Sequence, residues 1–286
     1  IKLSDQTAEI AARLQHESES CIRKLKSIAT NIAISARGTR LIDLAFANID
    51  LLDRNLYERS CDVRWWATDS SLVDALGTPN ENNLAFASER LGIILNSYTE
   101  YFDLVLCNKQ GEIVANGRPD EYRSRGRQQD SASWFRQALH STDGDDYGFQ
   151  TVHASAMVKG QRVLVYSASV REGGKTNGKV LGVLGILFKY DNLAQTIMLN
   201  TPIGQDMKKR SRVCITDHKG LVLADSQGKI LQETLDFPNR EAVYRQAKCF
   251  MIMDFNGQPH CVAHARAPGY ETYTTGWHSL IFQTLE

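Results

Sequence analysis

Leu104-Val105-Leu106-Cys107-Asn108-Lys109-Gln110-Gly111-Glu112-Ile113-Val114-Ala115-Asn116 returns in outline as Val213-Cys214-Ile215-Thr216-Asp217-His218-Lys219-Gly220-Leu221-Val222-Leu223-Ala224-Asp225. Each copy is an apolar run, an Asn or Asp, two polar residues and a glycine, then a second apolar run ending in Ala-Asn or Ala-Asp. Glycine supplies the positive φ of a tight hairpin, and Asn or Asp tolerates the turn. A hairpin met twice at this distance predicts two similar α+β modules and argues against one catalytic core.

Working outward, a polar loop follows the first hairpin from Gly117 to Ser133. A short helix follows, carrying Trp134, Phe135, Ala138 and Leu139. Strands are predicted at 147–154, 162–170 and 180–188, with a glycine-rich turn at 172–178 and a helix at 191–199. The second hairpin is followed by a helix near 240–247 and strands at 250–254, 260–265 and 277–282. Lys159-Gly160-Gln161 and Asn256-Gly257-Gln258 precede corresponding strands. The pattern reads as a five-stranded antiparallel PAS-like sheet, twice.

Residues 1 to about 76 contain no proline and one glycine, Gly38, and read as helix. Leu14, Cys21 and Ile28 are seven apart, as are Leu25 and Ile32, which predicts a coiled-coil seam and a homodimer through the N-terminal helices. A break or kink is expected at Arg37-Gly38-Thr39. Gly77-Thr78-Pro79-Asn80 ends this region, and residues 82–98 read as a further helix. The expected organisation is a coiled-coil segment at 1–40, a long helix with its connecting helix at 41–100, and modules at 101–200 and 201–286.

At 286 residues the chain can bury two cores. Lys plus Arg number 33 and Asp plus Glu number 33, so charge favours neither nucleic acid nor an anionic surface. No apolar run reaches the roughly 18 residues of a membrane-spanning helix. The first residue is not Met, and the reading is a fragment of a longer protein. The six cysteines form no CxxC pair, and several sit in apolar strand runs, where Cys packs as a small hydrophobe. This usage favours a reducing compartment over a disulfide scaffold.

Residues of about 41–284 resemble the double Cache (dCache) sensor domain of bacterial methyl-accepting chemotaxis proteins. The resemblance rests on the hairpin motif, Trp134-Phe135-Arg136-Gln137-Ala138, Tyr166-Ser167-Ala168-Ser169-Val170-Arg171 and Gly178-Lys179-Val180-Leu181-Gly182-Val183-Leu184-Gly185. Asn55 to Asp69 also resembles a block of Cache-bearing chemotaxis proteins. Lys2 to Leu14 is similar to the returning helix of the methyl-accepting signalling hairpin. Together these imply a small-molecule sensor that signals through a long helix to a chemotaxis kinase complex. The signalling domain would lie upstream and the receptor would be cytoplasmic. The alternative is a periplasmic sensor following a membrane span. The sensor region of a kinase or of a cyclic-dinucleotide cyclase is a second alternative, and a freestanding hydrolase or carrier a third.

The resemblance also implies where a ligand sits: in the first module, between the sheet and the loop with its short helix. Carried onto this chain, the candidates are Tyr122, Arg125, Arg127, Asp130, Trp134, Phe135, Tyr147, His153, Tyr166 and Phe188. Aromatic walls with a few polar groups suit a small molecule, and an arginine suits a carboxylate. The amino-acid-binding branch has Arg two residues before the Trp and Asp in the last strand; here those positions hold Ala132 and Leu187. A purine-like heterocycle or a carboxylate is therefore expected ahead of a free amino acid.

Other constellations read as structure. On a strand His260 and His264 stand about 13 Å apart, too far for one metal. Asp143, Asp145 and Asp146 lack the following glutamate of a calcium loop. Gly173-Gly174-Lys175-Thr176 joins two strands instead of opening a helix, unlike a P-loop. No catalytic triad has local context. Neither an enzyme nor a cofactor or metal site is expected.

Overall fold

The computed structural model describes residues 2–285; Ile1 and Glu286, which bound the first and last expected segments, lie outside them. Helix α1 (Lys2–Trp66) runs unbroken for 65 residues. It is followed by α2 (Ser70–Gly77) and α3 (Glu81–Ser97). The first module holds β1 (Tyr101–Asn108), β2 (Ile113–Asn116), α4 (Ser133–Leu139), β3 (Gly148–Ser155), β4 (Gln161–Arg171) and β5 (Val180–Phe188). Helices α5 (Tyr190–Asn200) and α6 (Gln205–Lys208) lead to the second module. That module holds β6 (Ser211–Thr216), β7 (Val222–Asp225), α7 (Arg240–Arg245), β8 (Lys248–Phe255), β9 (Gln258–Arg266) and β10 (His278–Thr284). Strand order is β2-β1-β5-β4-β3 in one sheet and β7-β6-β10-β9-β8 in the other, the same topology twice. All the pairings are antiparallel.

The repeated sequence becomes a repeated device. Asn108 Oδ1 accepts from the backbone N–H groups of Gln110 (3.0 Å) and Glu112 (3.1 Å). Asp217 Oδ1 does the same for Lys219 (2.8 Å) and Leu221 (2.9 Å). Gly111 and Gly220 take φ of 86° and 90°, the region their lack of Cβ permits. Each hairpin shifts register at the matching place, after Leu106 and after Ile215.

Two expectations about the helices are corrected. No break occurs at Arg37-Gly38-Thr39; α1 passes through Gly38, where a Cβ would lie 2.4 Å from the Phe250 ring. The glycine answers to a close approach by β8. The helix also ends at Trp66 and not near 76, because Asp69 caps α2 by accepting from Ser71 N (2.9 Å). Beyond Gly38 the residues Leu41, Ala45, Ile49, Leu52, Leu56 and Val63 form a buried stripe at spacings of three, four and seven residues. It packs against the inner faces of both sheets, so one core runs through both modules. By contrast Ile10, Leu14, Leu25, Ile28 and Ile32 are exposed. Of the adjacent tryptophans, Trp66 is buried against Tyr98 and Tyr101 while Trp65 is 67% exposed. No helix among the described residues is long and apolar enough to cross a membrane.

Candidate functional site

Alternation along a strand gives each sheet two faces. In the first module Leu104, Leu106, Leu164 and Tyr166 face α1, while Val105, Cys107, Val163 and Val165 face away from it. The outer face is covered by residues 117–133 and α4, which act as a lid. A connection of this length without regular structure is uncommon in a compact domain and is usually functional. Tyr122, Trp134 and Phe135 descend from the lid and are buried against Val183 and Leu187 of β5. The Trp134 ring lies over Gly185, where a Cβ would stand 2.8 Å from it. The Trp134 and Phe135 rings meet edge to face at 6.0 Å.

Next to the Trp134 ring the polar groups are uncharged; the buried charges of this face, Asp103 and Arg171, lie at the lid's root and beyond the end of α4. Ser133 Oγ donates to Gln150 Oε1 (3.3 Å), and Ser167 Oγ donates to the Trp134 carbonyl (2.7 Å). Ser124 is buried in the lid, and its hydroxyl meets no hydrogen-bond partner among the described residues. An unpaired buried hydroxyl costs stability.

The structure brings only part of the expected set to this face. Tyr122, Trp134 and Phe135 gather there. His153 pairs in register with Val163 on the same face but is only half-buried, its Nδ1 2.8 Å from the Thr151 carbonyl. Tyr147, Tyr166 and Phe188 lie on the opposite face. Tyr166 packs with Tyr147 and shares a hydrogen bond with the Tyr273 hydroxyl of the second module; Phe188 packs on Tyr101. A one-residue phase in β4 and β5 decides this, and a family likeness does not carry the phase. The lid's charged residues turn outward. Arg125 pairs with Glu81 of α3 (2.7 Å), Arg127 donates to the Arg123 and Ala156 carbonyls, and Asp130 is exposed.

Residues missed from the sequence hold the lid's root. Asp103 accepts from Asn116 Nδ2 (2.8 Å) and from the N–H groups of Leu104, Gly117 and Arg118. Burial pushes its carboxyl up to about 6 against these donors, which favour the anion. Arg118 Nη1 donates to the Tyr101 and Phe102 carbonyls (3.0 and 2.7 Å). In the second module the positions matching Asp103 and Asn116 hold Arg212 and Asp225, a bidentate pair at 3.1 and 2.8 Å. The two modules thus fill one latch with different chemistry. Aligning the hairpin copies one residue further back would have exposed it.

Two PAS-like sheets of one topology strung along one helix define a tandem α+β domain. The chain belongs to the Cache domain family, whose model matches residues 2–284. Comparison with curated proteins finds no match. Among solved structures the chain is similar to the ligand-binding domain of the Campylobacter jejuni chemoreceptor Tlp3 in complex with L-valine. Identity is 16%, coverage 87% of this chain and 93% of that one, and the TM-score 0.65. It is similar to the extracellular domain of rpHK1S-Z16, a protein assigned as a histidine kinase, at 15% identity, 89% and 97% coverage and a TM-score of 0.63. The ligand-binding domain of Pseudomonas fluorescens CtaA in complex with L-serine follows at 15% identity, 87% and 98% coverage and a TM-score of 0.58.

Cache sensor domains of chemoreceptors and histidine kinases bind small ligands, and this chain is a small-molecule sensor domain of that kind. These relatives are sensor domains and not enzymes. They overturn the cytoplasmic placement, because Cache domains of this type are extracellular or periplasmic sensors. The free cysteines misled. Cys107, Cys214 and Cys261 are buried in the core, where a thiol packs without reporting on the compartment. The relatives' ligands include valine and serine, and nothing among them supports the purine-like preference.

Proposed function

We propose that this chain is the extracytoplasmic sensor of a signalling receptor, a chemoreceptor or a histidine kinase. A small ligand binds beneath the lid of the first module, beside Trp134 on the outer sheet face. The observation that carries this reading is the lid itself. It is a long irregular segment over a sheet face, with aromatic side chains at its centre and the unpartnered Ser124 hydroxyl within it. Closure of the lid shifts the sheet, and the sheet's inner face bears on α1. Only a ligand with different affinity for the open and closed states drives such a shift.

The lining supports a ligand held by stacking and by neutral hydrogen bonds from Ser133 and Gln150. Ala132 and Leu187, where the amino-acid-binding branch has Arg and Asp, leave the two charges of a free α-amino acid without partners. An uncharged or weakly charged small molecule with a flat or apolar body fits better. The receptor works as a homodimer joined along the N-terminal part of α1, and its output is a kinase complex.

The test is the unfolding midpoint of the chain against a panel of amino acids, carboxylates, amines and planar heterocycles. A ligand at 100 times its Kd stabilises by about 2.7 kcal/mol. The shift is expected to disappear in Trp134→Ala and to shrink in Gln150→Ala, which leaves the aromatic packing intact. A hit that both variants leave untouched, or a panel without hits, defeats a first-module site.

A further inference from the structure

The corresponding outer face of the second module has a different character. Beside α7 lies an open cleft of about 810 Å³, within the range of small-molecule sites. Its walls carry Lys219, Arg240, Arg245 and Arg266 against a single carboxylate, Glu241, which reaches Arg245 at 3.7 Å. Arg240 is held in place, its Nη1 donating to the Leu235 carbonyl at 2.6 Å. Gly220 leaves room for it: a Cβ there would lie 2.9 Å from that nitrogen. Arg266 is exposed and has no side-chain hydrogen bond or ion pair among the described residues.

The floor is planar, polar and uncharged. The Tyr244 ring stacks on His278 at 3.8 Å, with 10° between the planes. His264 and His278 share a hydrogen bond of 2.9 Å, and the Tyr244 hydroxyl meets Thr216 Oγ1 at 2.6 Å. Burial, then Arg266 and His218, hold the His278 imidazole down at about 4. Asp217 opposes them, and burial is the larger cause, so the floor is held neutral beneath walls that carry the cationic groups. An anion is the ligand such walls attract, and guanidinium groups bind carboxylate and phosphate oxygens alike.

The far wall is the β9–β10 connection, residues 267–277. Ala267, Pro268, Thr274 and Gly276 face the cleft. The same connection is tied to α1 behind it. Asp53 of α1 accepts from Gly269 N (2.9 Å), Thr275 N (3.3 Å) and Thr275 Oγ1 (2.7 Å). It is tied to the first module as well, through Tyr273 to Tyr166 and through Trp277 to Tyr190 and Phe149.

We propose that the cleft beside α7 is a second ligand site, taking a small anion with carboxylate or phosphate oxygens, and that residues 267–277 carry its occupancy to α1 and to the first module. The proposal does not rest on a ligand beneath the first lid.

Calorimetric titrations with sodium citrate and with sodium phosphate, at ionic strength matched with sodium chloride, test it. At least one anion is expected to bind. Binding of citrate alone assigns a carboxylate ligand, of phosphate alone a phosphate ligand, and of both their shared oxyanion chemistry. Arg266→Ala, an exposed position that leaves folding intact, should weaken binding by about tenfold or more, the worth of one charge-assisted contact. Arg240→Ala should do the same, and Arg136→Ala, an exposed arginine of the first module, should change nothing. Amide exchange in 267–277 and around Asp53 should slow with the bound anion. No binding of either anion, or equal weakening by Arg136→Ala, overturns the site. Binding that leaves exchange in 267–277 unchanged overturns the coupling. Either failure leaves the first-module reading standing, because its hits are judged on Trp134→Ala and Gln150→Ala.

Discussion

His278 shows how much a single residue's setting decides. An imidazole ordinarily titrates near 6.5, but burial first, and then nearby positive charge, pushes His278 down to about 4 and His264 to about 3. The unfolded chain therefore binds protons that the folded one refuses. The stability this pair contributes is complete above about pH 6.5 and is lost as pH falls from there to the folded values of about 4 and then 3. His278→Gln keeps a hydrogen-bonding partner for His264 and removes one titration. Denaturant unfolding at pH 7 and pH 5 should show the variant losing roughly 1 kcal/mol less than the wild type on acidification. An equal loss in both would mean that His278 is protonated in the fold. Neither the pairing nor its position was legible: His264 and His278 are 14 residues apart, and only the β9–β10 register sets them on one face. The same limit separates Trp134 and Tyr122, whose lid position followed from order along the chain, from Tyr166 and Phe188, whose face depends on strand phase.

At the scale of elements the repeated hairpins carried the most information, because their turn chemistry is local: one Asx side chain, one positive-φ glycine, two flanking apolar runs. Strand β5 was read at 180–188 and occurs there. Gly38 was misread because a helical glycine has two explanations, weak propensity or a neighbour's approach, and only the fold distinguishes them. Here the neighbour is Phe250 of β8. Gly38→Ala would gain about 1 kcal/mol of helix propensity and lose more to overpacking, typically about 1–3 kcal/mol. The expected outcome is a lower unfolding midpoint for Gly38→Ala, with the double variant Gly38→Ala/Phe250→Ala less damaged than the two single effects added. Additive losses would remove the contact from the explanation.

At the scale of the whole molecule, α1 bears on assembly. Leu14, Leu25, Ile28 and Ile32 are exposed on α1 at heptad spacing, with Cys21 on the same seam. Isolated apolar residues at a surface need no explanation, but a stripe this long asks for a partner, and a second copy supplies the matching one. Leu25→Glu with Ile28→Glu should convert a dimer to a monomer in sedimentation velocity, leaving the circular dichroism of the sheets unchanged. Oxidation of the wild-type dimer should give a cross-link through Cys21 that Cys21→Ser abolishes. A wild type that sediments as a monomer at every concentration would end the dimer proposal. The apolar stripe on α1 was plain in the sequence. The compartment was not, since buried thiols and an amphipathic helix look alike on either side of a membrane.

The continuity of α1 has a mechanical consequence. Its inner half is clamped by both sheets, while residues 6–36 project from them. At 1.5 Å per residue the projecting part is about 45 Å long. A tilt of about 3° where the sheets grip it, small beside ordinary helix packing scatter, displaces the far end by about 2 Å. Both modules hold the same fulcrum, so either can swing the arm, or one can hold it still against the other.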